Sequence, residues 1–328
     1  MDLRYYSMYE FRLGVQDLAE TSFGMSPLFE LVFSLRPRLF PAKHPEHLPW
    51  VRETAAAYAR LDTGLLDVLH APHGWIPDFL TPRPAGIGAG IADDLAVLRK
   101  TPPDVVRHDI AAAYRHVPVP PVLSGDPAAL LDRICTAFEA YWDACVEPYW
   151  TRMQAVLEAD LVHRARRLTL GGAAALFAEL DDRITWTPGL VRLAVPSGLA
   201  PERAVDVAGR GLVLVPCLFV RGAITMIDEQ GPPPLICYPA RGRGAIWEHT
   251  VPAGPAALAA LVGARRAELL VMLAAPASTT EIARRLGVTP GAVSHHLTAL
   301  HAGGLLNRTR AGRSVLYMRS PLGDRLIR

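Results

Sequence analysis

Cysteine is scarce in this chain of 328 residues: there are four, at positions 135, 145, 217 and 237, with no Cys-x-x-Cys pair. Such spacing excludes a disulfide-stapled scaffold and predicts buried, reduced thiols. Long apolar runs are lacking too. The most hydrophobic stretches, 212–220 and 256–264, stop well short of the ~18–20 residues a helix needs to cross lipid, so no membrane span is expected. The opening Met1-Asp2-Leu3-Arg4-Tyr5-Tyr6 lacks the charged-then-apolar order of an export signal, and a cytoplasmic location is expected. Familiar catalytic motifs are missing: there is no Gly-x-Ser-x-Gly elbow, no His-Glu-x-x-His and no Ser-x-x-Lys. Gly86-x-Gly88-x-Gly90 has no strand before it and no complete phosphate-loop spacing, so these read as turn glycines. No enzyme activity and no cofactor are expected.

Apolar residues, by contrast, are plentiful. Half the chain is hydrophobic and a fifth is charged, enough to bury a large core and to exclude global disorder. At ~100–200 residues per domain, two or three domains are expected. The net charge of +2 hides an asymmetry: residues 255–328 hold ten arginines, no lysine and three acids, leaving −5 on the first 254. A compact basic piece on a mildly acidic body points to a polyanionic partner for that piece. Arginine outnumbers lysine 32 to 2 along the whole chain, so charge alone is a weak argument.

Residues 1–185 read as helices between proline-rich breaks, with candidates at 27–39, 50–69, 91–100 and 128–178; Pro148 must interrupt the last. After about Gly189 the period shortens. Runs at 190–195, 212–215, 217–220 and 235–238 are β-prone and bounded by Gly or Pro, predicting a small sheet. Pro252, Gly254 and Pro255 mark a boundary.

Beyond it the pattern becomes specific. Leu258, Leu261, Val262, Leu269, Met272 and Leu273 share one face of a helix over 256–274, which Pro276 stops. Ser278-Thr279-Thr280-Glu281 fits a capping box, and the helix it starts ends at Gly287. Thr289 caps the next helix, with Pro290 in its first turn. Val293, Leu297 and Leu300 face inward; at ~100° per residue Gly291, His295 and Thr298 face outward, Ser294 lies to one side and His296 near the boundary. Two short strands follow, 305–310 and 313–318, joined through Ala311-Gly312, with Arg308, Arg310 and Arg313 at or beside the tip. Helix, helix, tight turn, helix and arginine-tipped hairpin make a winged helix-turn-helix. Its small, polar outer face can enter a ~12 Å wide major groove. The fold class expected is α+β, mainly helical: a helix-rich region at 1–185, a small β-rich region at 186–254 packed with it, and the winged helix-turn-helix at 255–328.

The stretch Thr280-Glu281-Ile282-Ala283-Arg284-Arg285-Leu286-Gly287-Val288-Thr289-Pro290-Gly291-Ala292-Val293-Ser294-His295-His296-Leu297 resembles the helix-turn-helix of ArsR-type bacterial repressors. The hairpin Arg308-Thr309-Arg310-Ala311-Gly312-Arg313-Ser314-Val315-Leu316-Tyr317 is similar to their wing. Pro77-Asp78-Phe79-Leu80-Thr81-Pro82, Leu214-Val215-Pro216 and Tyr238-Pro239-Ala240-Arg241-Gly242 resemble the large N-terminal region of a long subgroup of these regulators. The resemblance implies a homodimer on an inverted-repeat operator in double-stranded DNA, usually repressing until an effector arrives. It implies DNA contacts from Thr289, Pro290, Gly291, Ser294, His295, Thr298, Arg308, Arg310 and Arg313.

The chain departs from the family's metal sensors. No cysteine lies in 279–286, and 321–328 offers one Asp and no His, so neither familiar metal site can be built. His44-x-x-His47 and His70-x-x-His73 lie among prolines with no cysteine to complete four ligands, and no metal is expected there. Glu179 and Asp181-Asp182 read as a solvated helix end. Six tryptophans, at 50, 75, 142, 150, 186 and 247, all precede the winged helix; most should pack the core and one or two line a ligand pocket. A small organic effector is therefore expected. Two alternatives stay open: an enzyme with an appended winged helix, favoured by a catalytic motif before residue 254, and a protein-interaction module, disfavoured by the +7 charge and the arginine wing.

Overall fold

The computed structural model describes residues 6–84, 86–196, 202–227, 231–247, 255–311 and 314–327. Two compact units divide the chain, one ending at Trp247 and the other starting at Glu248. Among the described residues no helix is long and apolar enough to cross a membrane.

Among its described residues the first unit holds two four-stranded sheets. Strands β1 (Tyr6–Arg12), β2 (Ser22–Phe23), β3 (Ile184–Thr187), β4 (Leu190–Pro196), β5 (Arg203–Asp206), β6 (Val213–Cys217), β7 (Ile224–Met226) and β8 (Leu235–Pro239) order themselves as β3-β4-β1-β5 and β2-β6-β8-β7. A sheet drawn only from 186–250 is thus corrected: β1 pairs antiparallel with β4, Tyr9 opposite Leu193, and β2 pairs parallel with β6. Burial alternates along β1, with Ser7, Tyr9 and Phe11 inward, the period of a half-buried strand. Strands β6 and β8 instead bury successive residues, Leu214-Val215 and Ile236-Cys237-Tyr238, as parallel strands covered on both faces do.

Helix α1 (Pro27–Phe33) is buried along its whole length. Its cap, Ser26, accepts from the Phe29 amide at 3.2 Å and donates to Asp94 at 2.6 Å. The long helices expected at 27–39 and 50–69 are broken into short pieces. In the second, Thr54 Oγ1 turns back onto the Trp50 carbonyl at 2.7 Å, and Asp62 caps a fresh turn through the Leu65 amide. The helix expected at 128–178 runs as α2 (Pro127–Tyr141) and α3 (Glu147–Phe177), the latter kinked at Gly172, whose φ of +65° is not helical. A wider π turn, Trp142–Val146, joins them and shifts the hydrogen-bond register just before Pro148, whose missing amide then falls in the first turn of α3.

Polar side chains staple these layers. Asp160 and Arg164 of α3 are both buried and paired at 3.3 Å. Asp160 also accepts from the Tyr238 hydroxyl at 2.8 Å and the Arg241 amide at 3.0 Å, and Arg164 donates to the Glu179 carbonyl at 2.6 Å. All four cysteines are buried and unpaired.

The second unit packs α4 (Pro255–Val262), α5 (Ala264–Met272), α6 (Thr279–Leu286), α7 (Pro290–Ala302) and α8 (Pro321–Ile327) with a sheet of order β10-β11-β9: β9 (Ala277–Ser278), β10 (Leu306–Ala311) and β11 (Ser314–Arg319). Leu269, Leu270, Leu273, Ile282, Val293, Leu297, Leu300 and Tyr317 are among the residues of its core. The single helix expected at 256–274 is two, because Gly263 adopts φ +89° between them.

Candidate nucleic-acid interface

Local sequence chemistry builds the helix-turn-helix. Ser278 Oγ accepts from the Glu281 amide at 3.2 Å. The Glu281 carboxylate does not complete the box: it reaches forward one turn to Arg285 at 2.5 Å. Gly287 ends α6 in the left-handed conformation, φ +65°, and the Val288 amide closes the turn on the Ala283 carbonyl at 3.1 Å. Thr289 then caps α7, its hydroxyl accepting from the Ala292 amide at 3.4 Å, with Pro290 in the first turn. The Thr289 hydroxyl proton stays available to donate outward.

Val293, Leu297 and Leu300 anchor α7 in the core. That leaves Thr289, Pro290, Gly291, Ser294, His295 and Thr298 exposed together. A Cβ placed on Gly291 would meet nothing within 4 Å, so this bare spot serves no internal packing and lets another surface come close. His296 is half-buried and stands edge-on to His295, ring centroids 5.6 Å apart, with its Nδ1 enclosed. It supports the face without belonging to it.

In the wing, register puts Arg308 opposite Tyr317 and Arg310 opposite Val315. Both arginines are exposed and, two residues apart, share one face of the strand. Ala311 pairs with Ser314, one residue beyond the register expected from an Ala311-Gly312 turn. Arg313 lies outside the described residues. Two further residues, not singled out by the sequence pattern, stand beside these elements. His301 Nδ1 meets the Leu306 carbonyl at 2.8 Å and ties the end of α7 to the wing. Arg284 is exposed in the last turn of α6; basic residues at a helix end beside a glycine cap were the available signal.

In the first unit, the structure brings His44, Glu46 and His47 together, their ligand atoms within 4.8 Å of one another. Hydrogen bonding argues against an ion there. Trp247 Nε1 donates to His47 Nδ1 at 2.8 Å, so the proton of this ring sits on Nε2, 3.1 Å from the Leu218 carbonyl. Both nitrogens are committed, and burial pushes the imidazole down to about 4, keeping it neutral. Glu46 pairs with Arg243 at 3.4 Å. His70 Nε2 lies 2.9 Å from the Val32 carbonyl, whereas His73 stacks edge-on to His116.

Residues 264–308 match the family described as bacterial regulatory protein, arsR family. The solved structure of reduced HlyU from Vibrio cholerae is 29% identical, the alignment covering 23% of this chain and 83% of that one, with a TM-score of 0.20. Among curated proteins none matches. Helices α5 to α7 and the start of the wing thus fall inside the matched segment: the second unit carries an ArsR-type winged helix-turn-helix, the DNA-binding part of a transcriptional regulator.

Proposed function

We propose that this chain is a cytoplasmic transcriptional repressor that binds an inverted-repeat operator as a homodimer, with the region before residue 255 sensing an effector, assembling the dimer, or both. One observation carries the reading: a small polar helix face beside exposed arginines of the wing, in a segment of ArsR type. In this arrangement Pro290, Gly291, Ser294, His295 and Thr298 face base edges, Thr289 donates to a phosphate, and Arg308, Arg310 and Arg313 take phosphates beside the groove. A single recognition helix reads few base pairs, so two are needed about one DNA turn, ~34 Å, apart. Exposed apolar Leu261 on α4 and Val271 on α5 support pairing through these helices. We assign the larger unit to sensing rather than catalysis, since no complete catalytic motif occurs before residue 254.

The test is selection of bound sequences from random duplex DNA with the full chain, alongside its mass in solution. A palindromic consensus and a dimer mass are expected. No enriched sequence at physiological salt, or a monomer bound to one half-site, overturns the proposal.

A further inference from the structure

Buried or half-buried arginines in the first unit have partners. Arg164 pairs with Asp160, Arg243 with Glu46 and Arg192 with Glu10. Arg36 differs. It opens the short helix Arg36–Leu39, its guanidinium carbon 4.7 Å from the centre of the Phe33 ring, and it has neither an ion pair nor a hydrogen bond among the described residues. Part of its surface stays accessible, but its Nε is enclosed and unpartnered. Burial pushes the guanidinium down to about 10, so it remains charged at neutral pH. Its electrostatic neighbours are the thiols of Cys237 and Cys217 rather than carboxylates. Burial holds the Cys217 thiol protonated, and drives His44 and His70 down to about 4 and 3, both neutral. A partly desolvated positive charge without a counter-charge is costly, and an anion from outside would offset that cost.

Arg36 forms part of the wall of a cavity of about 100 Å³. One water needs only roughly 10–15 Å³, so an organic molecule of several heavy atoms fits. Trp75, Ile76 and Met226 give it apolar walls. Tyr9 adds a phenol that burial keeps protonated, with Arg203, Asp78 and Arg115 as its charged neighbours. Asp78 also lines it, its carboxyl raised to about 6 by burial and by the neighbouring Asp109.

We propose that this cavity binds a small organic monocarboxylate, its carboxylate on the Arg36 guanidinium and the Tyr9 hydroxyl, its hydrocarbon body against Trp75, Ile76 and Met226. The guanidinium fork matches a carboxylate through two parallel bonds. One positive charge without an ion pair among the described residues fits one negative charge, and a second negative charge, as on a phosphate monoester, would meet the Asp78 carboxyl that also lines the cavity. The inference rests on the proposed function in one respect: it supplies the chemical class of the effector. Binding itself stands apart from DNA.

The experiment uses the full chain without DNA, following tryptophan fluorescence and the melting transition of the larger unit with benzoate, phenylacetate and hexanoate. Benzamide is the neutral control and phenyl phosphate the dianionic one. At least one carboxylate is expected to raise the transition and change the fluorescence, and to bind at least tenfold more tightly than benzamide and phenyl phosphate. Arg36→Met should weaken that binding at least tenfold while leaving the unliganded transition unchanged or raised, because an unbalanced buried charge is removed. A purely structural Arg36 would lower it. Met226→Trp, which fills the cavity and leaves Arg36 in place, should also abolish binding, and it decides the matter if Arg36→Met does not fold. No response to any carboxylate at millimolar concentration, equal binding by benzamide, or undiminished binding by both variants overturns the proposal. A chain that selects operators but ignores carboxylates refutes this site alone; one that binds carboxylates but selects no DNA refutes the regulatory reading alone.

Discussion

Replacing Asp160 by Asn tests the polar staple between α3 and the second sheet. The carboxylate is buried, accepts from Tyr238 at 2.8 Å and the Arg241 amide at 3.0 Å, and balances Arg164 at 3.3 Å. Asparagine keeps the shape but removes the charge, leaving the Arg164 guanidinium buried and unbalanced. Stranding one partner of a buried pair costs about 3–5 kcal/mol, a large share of the ~5–15 kcal/mol that holds a typical domain together. Urea unfolding of the full chain reads the effect. With a slope near ~3 kcal/mol/M, the midpoint of the larger unit should fall by roughly 1–1.7 M, while the transition of the winged helix stays in place. Arg164→Met alone should do comparable damage, since it strands the carboxylate instead. The double variant should lose about 0.5–3 kcal/mol less than the two singles combined, as coupled partners do. A loss below ~1 kcal/mol for Asp160→Asn, or strict additivity in the double variant, would refute the reasoning.

On DNA, His295→Ala should cost about 1–3 kcal/mol at particular bases in a competition assay; equal weakening on every sequence would place this imidazole on the backbone instead. Arg310→Ala should reduce the magnitude of the log–log salt slope by roughly 0.9, and an unchanged slope means the wing points away from the phosphates. Acid should destabilise the larger unit. Burial holds His44, His47 and His70 at about 4, 4 and 3, below the ordinary imidazole value, so the unfolded chain takes up protons that the folded one refuses, and stability is lost as pH falls from about 6.5 toward 4. His70→Gln keeps a donor for the Val32 carbonyl and should flatten the pH dependence by up to about 1.4 kcal/mol per pH unit; an unaltered profile from urea midpoints would contradict this. Glu30 acts with the opposite sign. Burial raises it to about 8, so its share of stability declines as pH climbs from the ordinary carboxylate range toward 8, and Glu30→Gln should remove that decline in the same urea series.

The winged helix was legible because its determinants are local. Ser278, Gly287 and the Thr289-Pro290 pair each set a helix end through a backbone group within a few residues, and Val293, Leu297 and Leu300 settle which face of α7 is outward. The departures from the sequence pattern are local too: Glu281 has two partners within reach and takes Arg285, and Gly263 breaks a helical pattern that runs on either side of it. In the larger unit the decisive contacts span the chain. The period-2 burial of β1 could have been found, but its pairing with β4 is set by packing against residues some 180 positions away. The same holds for Trp247, whose indole fixes the tautomer of His47 from 200 residues off. Arg36 looks like any arginine in a helix; only the fold reveals that no acid among the described residues pairs with it and that its Nε is buried without a partner.

The pairing of β1 with β4 and β5 bears on how the protein is made. When Tyr6–Arg12 emerges from the ribosome, its neighbours Leu190–Pro196 and Arg203–Asp206 are still untranslated. At ~5–20 residues per second the strand waits roughly 10–40 s, its apolar residues and both hydrogen-bonding edges uncovered. The winged helix, whose hairpin and capped helices close over short distances in sequence, has no such delay. Synthesis therefore leaves an unpaired apolar strand exposed until about 200 residues have been made, and a slowed ribosome or a weakened β1 should lower the yield of folded protein more than a surface change in the winged helix.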